Sequence, residues 1–161
     1  MLIIGHRGAP SILQENTLDS FQLALDKGVD GLEFDVQLTK DQELIVFHDF
    51  HILQSNGQKF AISQLTTQDI STLDISFKIP TLQEVLEICP PGLLINIEIK
   101  LQTIFSKSIV FKILDLLYNH QLTSSILISS FNPFVLYEIK KRAPILTPAY
   151  YGHKTPQEIG L

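Results

Sequence analysis

Two apolar, β-branched runs of the chain carry charged or amide side chains at every second position: Glu33-Phe34-Asp35-Val36 within residues 31–38, and Asn96-Ile97-Glu98-Ile99-Lys100 within residues 93–100. Residues two apart in a strand project to one side. Each run therefore turns its charges to one face and its hydrocarbon to the other. Charges brought to an interior face carry a large desolvation cost unless they are paired or hold a cation. Glu33, Asp35 and Glu98, with Lys100 beside them, predict a cation site. An all-oxygen donor set suits Mg²⁺ or Ca²⁺ better than Zn²⁺. Two other apolar runs end in histidine, His6 followed by Arg7 and His48 followed by Asp49. Imidazoles with an ordinary pKa near 6.5 can divide the roles of base and acid around neutral pH. The guanidinium of Arg7 matches phosphate oxygens in a two-pronged fashion. The chemistry such a set can perform is phosphoryl transfer. Taken singly, each group has a plainer reading: a structural histidine, a solvated strand face at Glu33 and Asp35, an ion pair between Glu98 and Lys100.

Strands are expected at residues 2–6, 31–38, 43–48, 93–100, 125–131 and 145–150, because these are short apolar runs bounded by turn residues. Helical period separates them. Asn16 or Thr17 can cap a helix whose apolar positions are Leu18, Phe21, Leu25 and Val29 and whose stop is Gly28. Asn56-Gly57 marks a turn, Pro80 introduces a helix over 81–89, and residues 106–118 and 133–142 supply two more helices. Alternating β and α units predict an α/β fold with a parallel sheet, either doubly wound or a portion of a (β/α)8 TIM-like barrel. The run Gly5-His6-Arg7-Gly8 lacks the spacing of a dinucleotide-binding loop. Polar groups gathered at strand ends favour the barrel, with about six βα units in one domain over 1–161 that is short at its C-terminus.

The 161 residues are 45% hydrophobic, enough for one buried core. A net charge of -5 argues against nucleic acid or an anionic membrane as partner. The lone Cys89 forms no internal disulfide, the first residues do not resemble a secretion signal, and no apolar run reaches the length of a membrane span, so a cytoplasmic protein without a membrane anchor is expected.

The order and spacing of Gly5-His6-Arg7-Gly8, Glu15-Asn16-Thr17, Glu33-Phe34-Asp35-Val36, His48-Asp49, Glu98-Ile99-Lys100 and Ser129-Ser130-Phe131 resemble the glycerophosphodiester phosphodiesterase family, over residue 2 to about residue 151. The resemblance implies catalytic His6 and His48, a divalent metal on Glu33, Asp35 and Glu98, and phosphate contacts from Arg7 and Lys100. It implies hydrolysis of a small glycerophosphodiester to sn-glycerol 3-phosphate and an alcohol. Two other readings stay open: a non-catalytic fragment that binds metal, and a related phosphodiesterase acting on lysolipids or sphingolipids. Gln14 stands where the family usually has proline, and the chain has no Trp where the family carries one on its last strand. Glu15 is expected to be structural, Ser129 and Ser130 to line the site, and His51, His120, His153 and Cys89 to be surface or packing residues. Open barrel edges at the first and last strands predict self-association.

Overall fold

The computed structural model describes residues 1–101, 107–120 and 125–150. In chain order the elements are β1 (Ile4–His6), α1 (Leu18–Asp26), β2 (Gly31–Leu38), β3 (Leu44–Val46), β4 (His51–Leu53), β5 (Lys59–Ala61), a 3-10 turn (Ile62–Gln64), α2 (Thr67–Ser71), α3 (Leu82–Ile88), β6 (Leu94–Ile99), α4 (Lys107–Asn119), β7 (Ile126–Ser130), α5 (Pro133–Arg142) and β8 (Thr147–Tyr150). One sheet runs β1-β2-β6-β7-β8, with every neighbour pair parallel. Such pairs need crossovers, and α1, α3, α4 and α5 each immediately precede a strand of this series.

Local chemistry fixes the helix ends. The Thr17 hydroxyl accepts from Ser20 N–H at the start of α1, and Gly28, at φ +76°, ends the turn that follows it. Thr81 and Glu84 form a reciprocal capping box on α3, while Asn132 caps α5 with Pro133 in its first turn. Alternation fixes the core. Leu32, Phe34, Val36, Ile95, Ile97 and Ile99 are all buried on the face opposite the acidic residues, packed with Phe21 and Ala24 of α1 and Ile109, Val110 and Ile113 of α4. Phe21 meets Phe34 edge to face at 5.5 Å between ring centres.

The six expected strands all lie in this sheet, but the third does not run as a barrel strand. β3 pairs antiparallel with the end of β2, Val36 opposite Val46 and Leu38 opposite Leu44. Residues 39–43 are too few for a crossover; Thr39 N–H donates to Glu43 O, and Gln42 turns the chain at φ +65°. Among the described residues five strands of this sheet are therefore parallel. The chain then leaves the sheet. β4 and β5 form a hairpin about the expected Asn56-Gly57 turn, and with α2 they enclose a second apolar cluster of Ile45, Ile52, Ile62, Leu65, Ile70 and Ile79. Among the described residues no helix is long and apolar enough to cross a membrane.

Ile97 is fully buried between β2 and β7. Ile97→Ala should lower unfolding free energy by about 2–5 kcal/mol, since the cavity adds to the lost transfer energy. Urea denaturation checks this as a lower midpoint at an unchanged slope.

Candidate active site

Strand register assembles the charges. β1 ends with His6 opposite Glu33, β6 sets Asn96 opposite Glu33 and Glu98 opposite Asp35, and β7 sets Ser129 opposite Glu98. One oxygen from each of Glu33, Asp35 and Glu98 lies within 4.8 Å of the others, and all three residues are buried. Two cations approach them. Lys100 Nζ stands 3.2 Å from Glu98 Oε1 and 3.6 Å from Asp35 Oδ1, and Arg7 Nε stands 3.2 Å from Asp35 Oδ2. This is not enough positive charge for Glu33, whose pKa is raised to about 7, first by burial and then by the charges of Asp35 and Glu98. Asp35 Oδ1 is buried without a hydrogen-bond donor. A compact all-oxygen donor set with an unsatisfied carboxylate oxygen and a proton-retaining glutamate fits a hard divalent cation.

The loop between β1 and α1 wraps this cluster in a constrained backbone. Arg7 and Asn16 both hold φ in the left-handed region, at 57° and 56°, which costs an ordinary residue on the order of 1 kcal/mol. Hydrogen bonds hold them there. Arg7 N–H donates to Glu33 O at 2.9 Å, Asn16 N–H donates to Arg7 O at 3.1 Å, and the Asn16 amide donates to Asp35 Oδ2 at 3.0 Å. Glu15 takes Arg7 Nη1 at 3.0 and 3.2 Å on its two oxygens. The Ser20 hydroxyl ties the loop to α1 by accepting from Ala9 N–H. At Gly8, φ +89°, a Cβ would come within 2.7 Å of the Ser20 carbonyl carbon, so no larger residue fits.

One histidine lies beside the cluster and the other shares a cleft with Lys100. His6 Nε2 lies 3.6 Å from Glu33 Oε2 with its ring largely exposed. His48 Nδ1 lies 2.7 Å from Asp49 Oδ1. With that carboxylate accepting, Nδ1 carries the proton and Nε2 is the nitrogen left for chemistry. Gln37 lies two residues beyond Asp35, and its Nε2 donates to Phe47 O at 2.7 Å and Asp49 O at 2.9 Å, pinning the segment that carries His48. His48 and Lys100 share a cleft of about 400 Å³ with Asp49, Phe50, His51, Leu53 and Lys59.

The profile of the Glycerophosphoryl diester phosphodiesterase family matches residues 6–158. The chain belongs to this family. It is 38% identical over 156 residues to a glycerophosphodiester phosphodiesterase of Caldanaerobacter subterraneus subsp. tengcongensis, covering 90% of this chain and 64% of that relative. Its fold matches a Thermotoga maritima glycerophosphodiester phosphodiesterase at a TM-score of 0.79 and 30% identity, over 100% of this chain and 66% of the other. It also matches an Oleispira antarctica phosphodiesterase in complex with the product sn-glycerol-3-phosphate, at a TM-score of 0.87 and 28% identity, over 99% of this chain and 70% of that one. The parallel strands are an arc of this family's (β/α) barrel.

Of the residues singled out in the sequence, Glu33, Asp35 and Glu98 form the cluster, His6, Arg7 and Lys100 approach its carboxylates, and His48 shares a cleft with Lys100. Glu15 is structural in a specific sense: it holds Arg7. Ser129 and Ser130 donate to Asn96 Oδ1 and Ile99 O, which spends their hydroxyls within the sheet. Cys89 is half-buried with its thiol pushed up to about 11 by desolvation, a packing residue as expected, while His153 lies outside the described residues. Two members of the site went unread. Asn16 is a site residue and Thr17 the cap; Gln37 has the same two-residue signal as Asp35, since it shares the strand face with Glu33.

The raised Glu33 pKa has a sign for stability. Between 4.5 and about 7 the folded chain binds a proton that the unfolded chain has lost, so stability falls as pH rises through that window, by at most about 3 kcal/mol. In chelator, the midpoint of thermal unfolding should drop between pH 5 and pH 8 more steeply for the native chain than for Glu33→Gln. Adding Mg²⁺ or Ca²⁺ at pH 8 should recover most of the difference, and equal slopes for the two proteins would refute the assignment.

Proposed function

We propose that this chain hydrolyses glycerophosphodiesters to sn-glycerol 3-phosphate and an alcohol. A divalent cation, Mg²⁺ or Ca²⁺, would be held by Glu33, Asp35 and Glu98, with His6 and His48 as the acid–base pair and Arg7 and Lys100 on the phosphate. The observation that carries this reading is the buried carboxylate triad with one imidazole beside Glu33 and another sharing a cleft with Lys100. Bound there, the cation would neutralise charge on the non-bridging phosphate oxygens. Lys100 supports the same charge from its position between Glu98 and Asp35, and Arg7 can offer Nη2 while Glu15 and Asp35 hold the rest of its fork. One imidazole takes the proton from the nucleophile as the other gives a proton to the departing alkoxide. The nucleophile is either water or the glycerol hydroxyl next to the phosphate. In the second case the alcohol leaves with formation of a cyclic phosphate, which water then opens to glycerol phosphate. Asp49 keeps His48 in the tautomer with Nε2 available, and His6 lies beside Glu33.

The experiment is release of glycerol 3-phosphate from glycerophosphocholine by the purified chain with Mg²⁺ or Ca²⁺. Turnover should stop in chelator and fall about 10²–10⁴-fold in His6→Ala and in His48→Ala. A chain that binds the cation without any turnover would instead be the non-catalytic reading. Gln37 positions His48 and touches no substrate. Gln37→Leu should cut kcat about tenfold or more and leave KM within about twofold, because it loosens the loop and not the phosphate contacts. Equal changes in both constants would show a merely structural role.

A further inference from the structure

Asn16 is 2% exposed, and the two ends of its amide are in different states. The nitrogen donates to Asp35 Oδ2 at 3.0 Å. That bond decides which end is which, because exchanging nitrogen and oxygen would set a carbonyl oxygen against a carboxylate oxygen. The carbonyl Oδ1 is buried with no donor among the described residues, and so is Asp35 Oδ1, from which Lys100 Nζ stands off at 3.6 Å. Two acceptors without donors, on side chains joined by a hydrogen bond, thus belong to the carboxylate cluster. Each is costly to bury in that state, and a cation satisfies several such oxygens together.

The backbone keeps Asn16 in place. Its φ is 56°, its N–H donates to Arg7 O at 3.1 Å, and the next residue, Thr17, caps α1. Gly, Asn and Asp are the residues that take this φ most readily, and of these Asn alone adds an oxygen without a charge. The missing charge matters where three carboxylates already converge. A fourth would add repulsion that Lys100 and Arg7, both already engaged by Asp35, do not offset.

We infer that Asn16 Oδ1 is a fourth protein oxygen for the divalent cation assigned to Glu33, Asp35 and Glu98. The inference rests on the cation reading of that triad and adds a neutral ligand to it. A carbonyl in the donor set suits Ca²⁺, whose sites commonly include amide oxygens, better than Mg²⁺, which keeps much of its water.

Tb³⁺, a luminescent substitute for Ca²⁺, tests the ligand directly, because its decay rates in H₂O and D₂O count the waters left on the ion. In the full chain, Asn16→Gly, which suits the backbone, should add one water to bound Tb³⁺ and weaken Ca²⁺ about tenfold or more by isothermal titration, with Mg²⁺ weakened less. Asn16→Asp, which offers a carboxylate oxygen in the same place, should keep the native water count and bind Ca²⁺ at least as tightly as the native chain, while its unfolding midpoint in chelator falls. Thr17→Ala, which removes the α1 cap from the same loop, should lower that midpoint, leave the water count unchanged and hold Ca²⁺ affinity within about twofold. An unchanged water count in Asn16→Gly, or Asn16→Asp binding Ca²⁺ as weakly as Asn16→Gly, would overturn the inference and leave Asn16 as no more than the donor that steadies Asp35. A native chain that binds neither ion would overturn it together with the cation reading. These cation responses without turnover of any glycerophosphodiester would defeat the phosphodiesterase reading and leave the ligand standing, whereas turnover with an unchanged water count in Asn16→Gly would defeat the inference alone.

Discussion

Parallel pairing of β2 with β6 in a register that sets Asp35 opposite Glu98 forces like charges together, and the rest of the site is arranged around that repulsion. At 4.8 Å and an effective dielectric near 20, each pair of ionised carboxylates repels by on the order of 3 kcal/mol. Lys100 and Arg7 relieve part of it and the proton retained on Glu33 relieves more. What keeps the array from splaying is the opposite face of the same strands. Phe34 and Val36 of β2 and Ile97 and Ile99 of β6 are at most 1% exposed, so a carboxylate can move away only by disturbing a packed core. Hydrophobic burial on one side of the sheet thus maintains on the other an unfavourable charge arrangement that could hold a metal ion.

The β1–α1 loop serves the same end by different means. A guanidinium that must approach a buried aspartate from above the sheet cannot reach it along a regular strand, and the left-handed backbone at Arg7 and Asn16 re-aims both side chains toward Asp35. The strain is offset locally: Glu33 receives the Arg7 amide on its carbonyl, Glu15 grips the guanidinium, and Gly8 allows the loop to lie directly on Ser20 of α1. Helix α1 is thereby coupled to the site without contributing a reactive group.

Much of this arrangement is legible in the sequence. The bounds of β2 and α5 follow from alternation and from the Asn132-Pro133 start, and the face shared by Glu33, Asp35, Glu98 and Lys100 follows from a period of two. Other features depend on contacts that sequence distance hides. Asn16 looks like a cap until the backbone at φ 56° turns it inward. β4 and β5 have three residues each, too few to display an alternation, so only their Asn56-Gly57 turn was visible. α2 has five residues and no helical period, although its Thr66–Asp69 capping box was present to be read.

The direction of β3 is the instructive miss, because it explains how His48 reaches the site. β1 ends at the level of Glu33, and the last paired residues of β6 and β7 lie at the level of Val36 and Asp35, whereas β2 continues to Leu38 beyond that rim. A parallel third strand would have had to begin again at the far end of the sheet and rise the full length before delivering a histidine. The antiparallel return covers the distance in a few residues: β3 retraces the overhang of β2, Phe47 N–H closes on Asp35 O at 2.9 Å, and the next residue is His48. Gln37, on the overhang itself, then fixes the turn by taking the carbonyls that follow β3. The overhang of β2 is therefore the element that converts a strand of the barrel into a support for His48, and it leaves the hairpin and second apolar cluster free to vary the walls of the cleft that His48 lines.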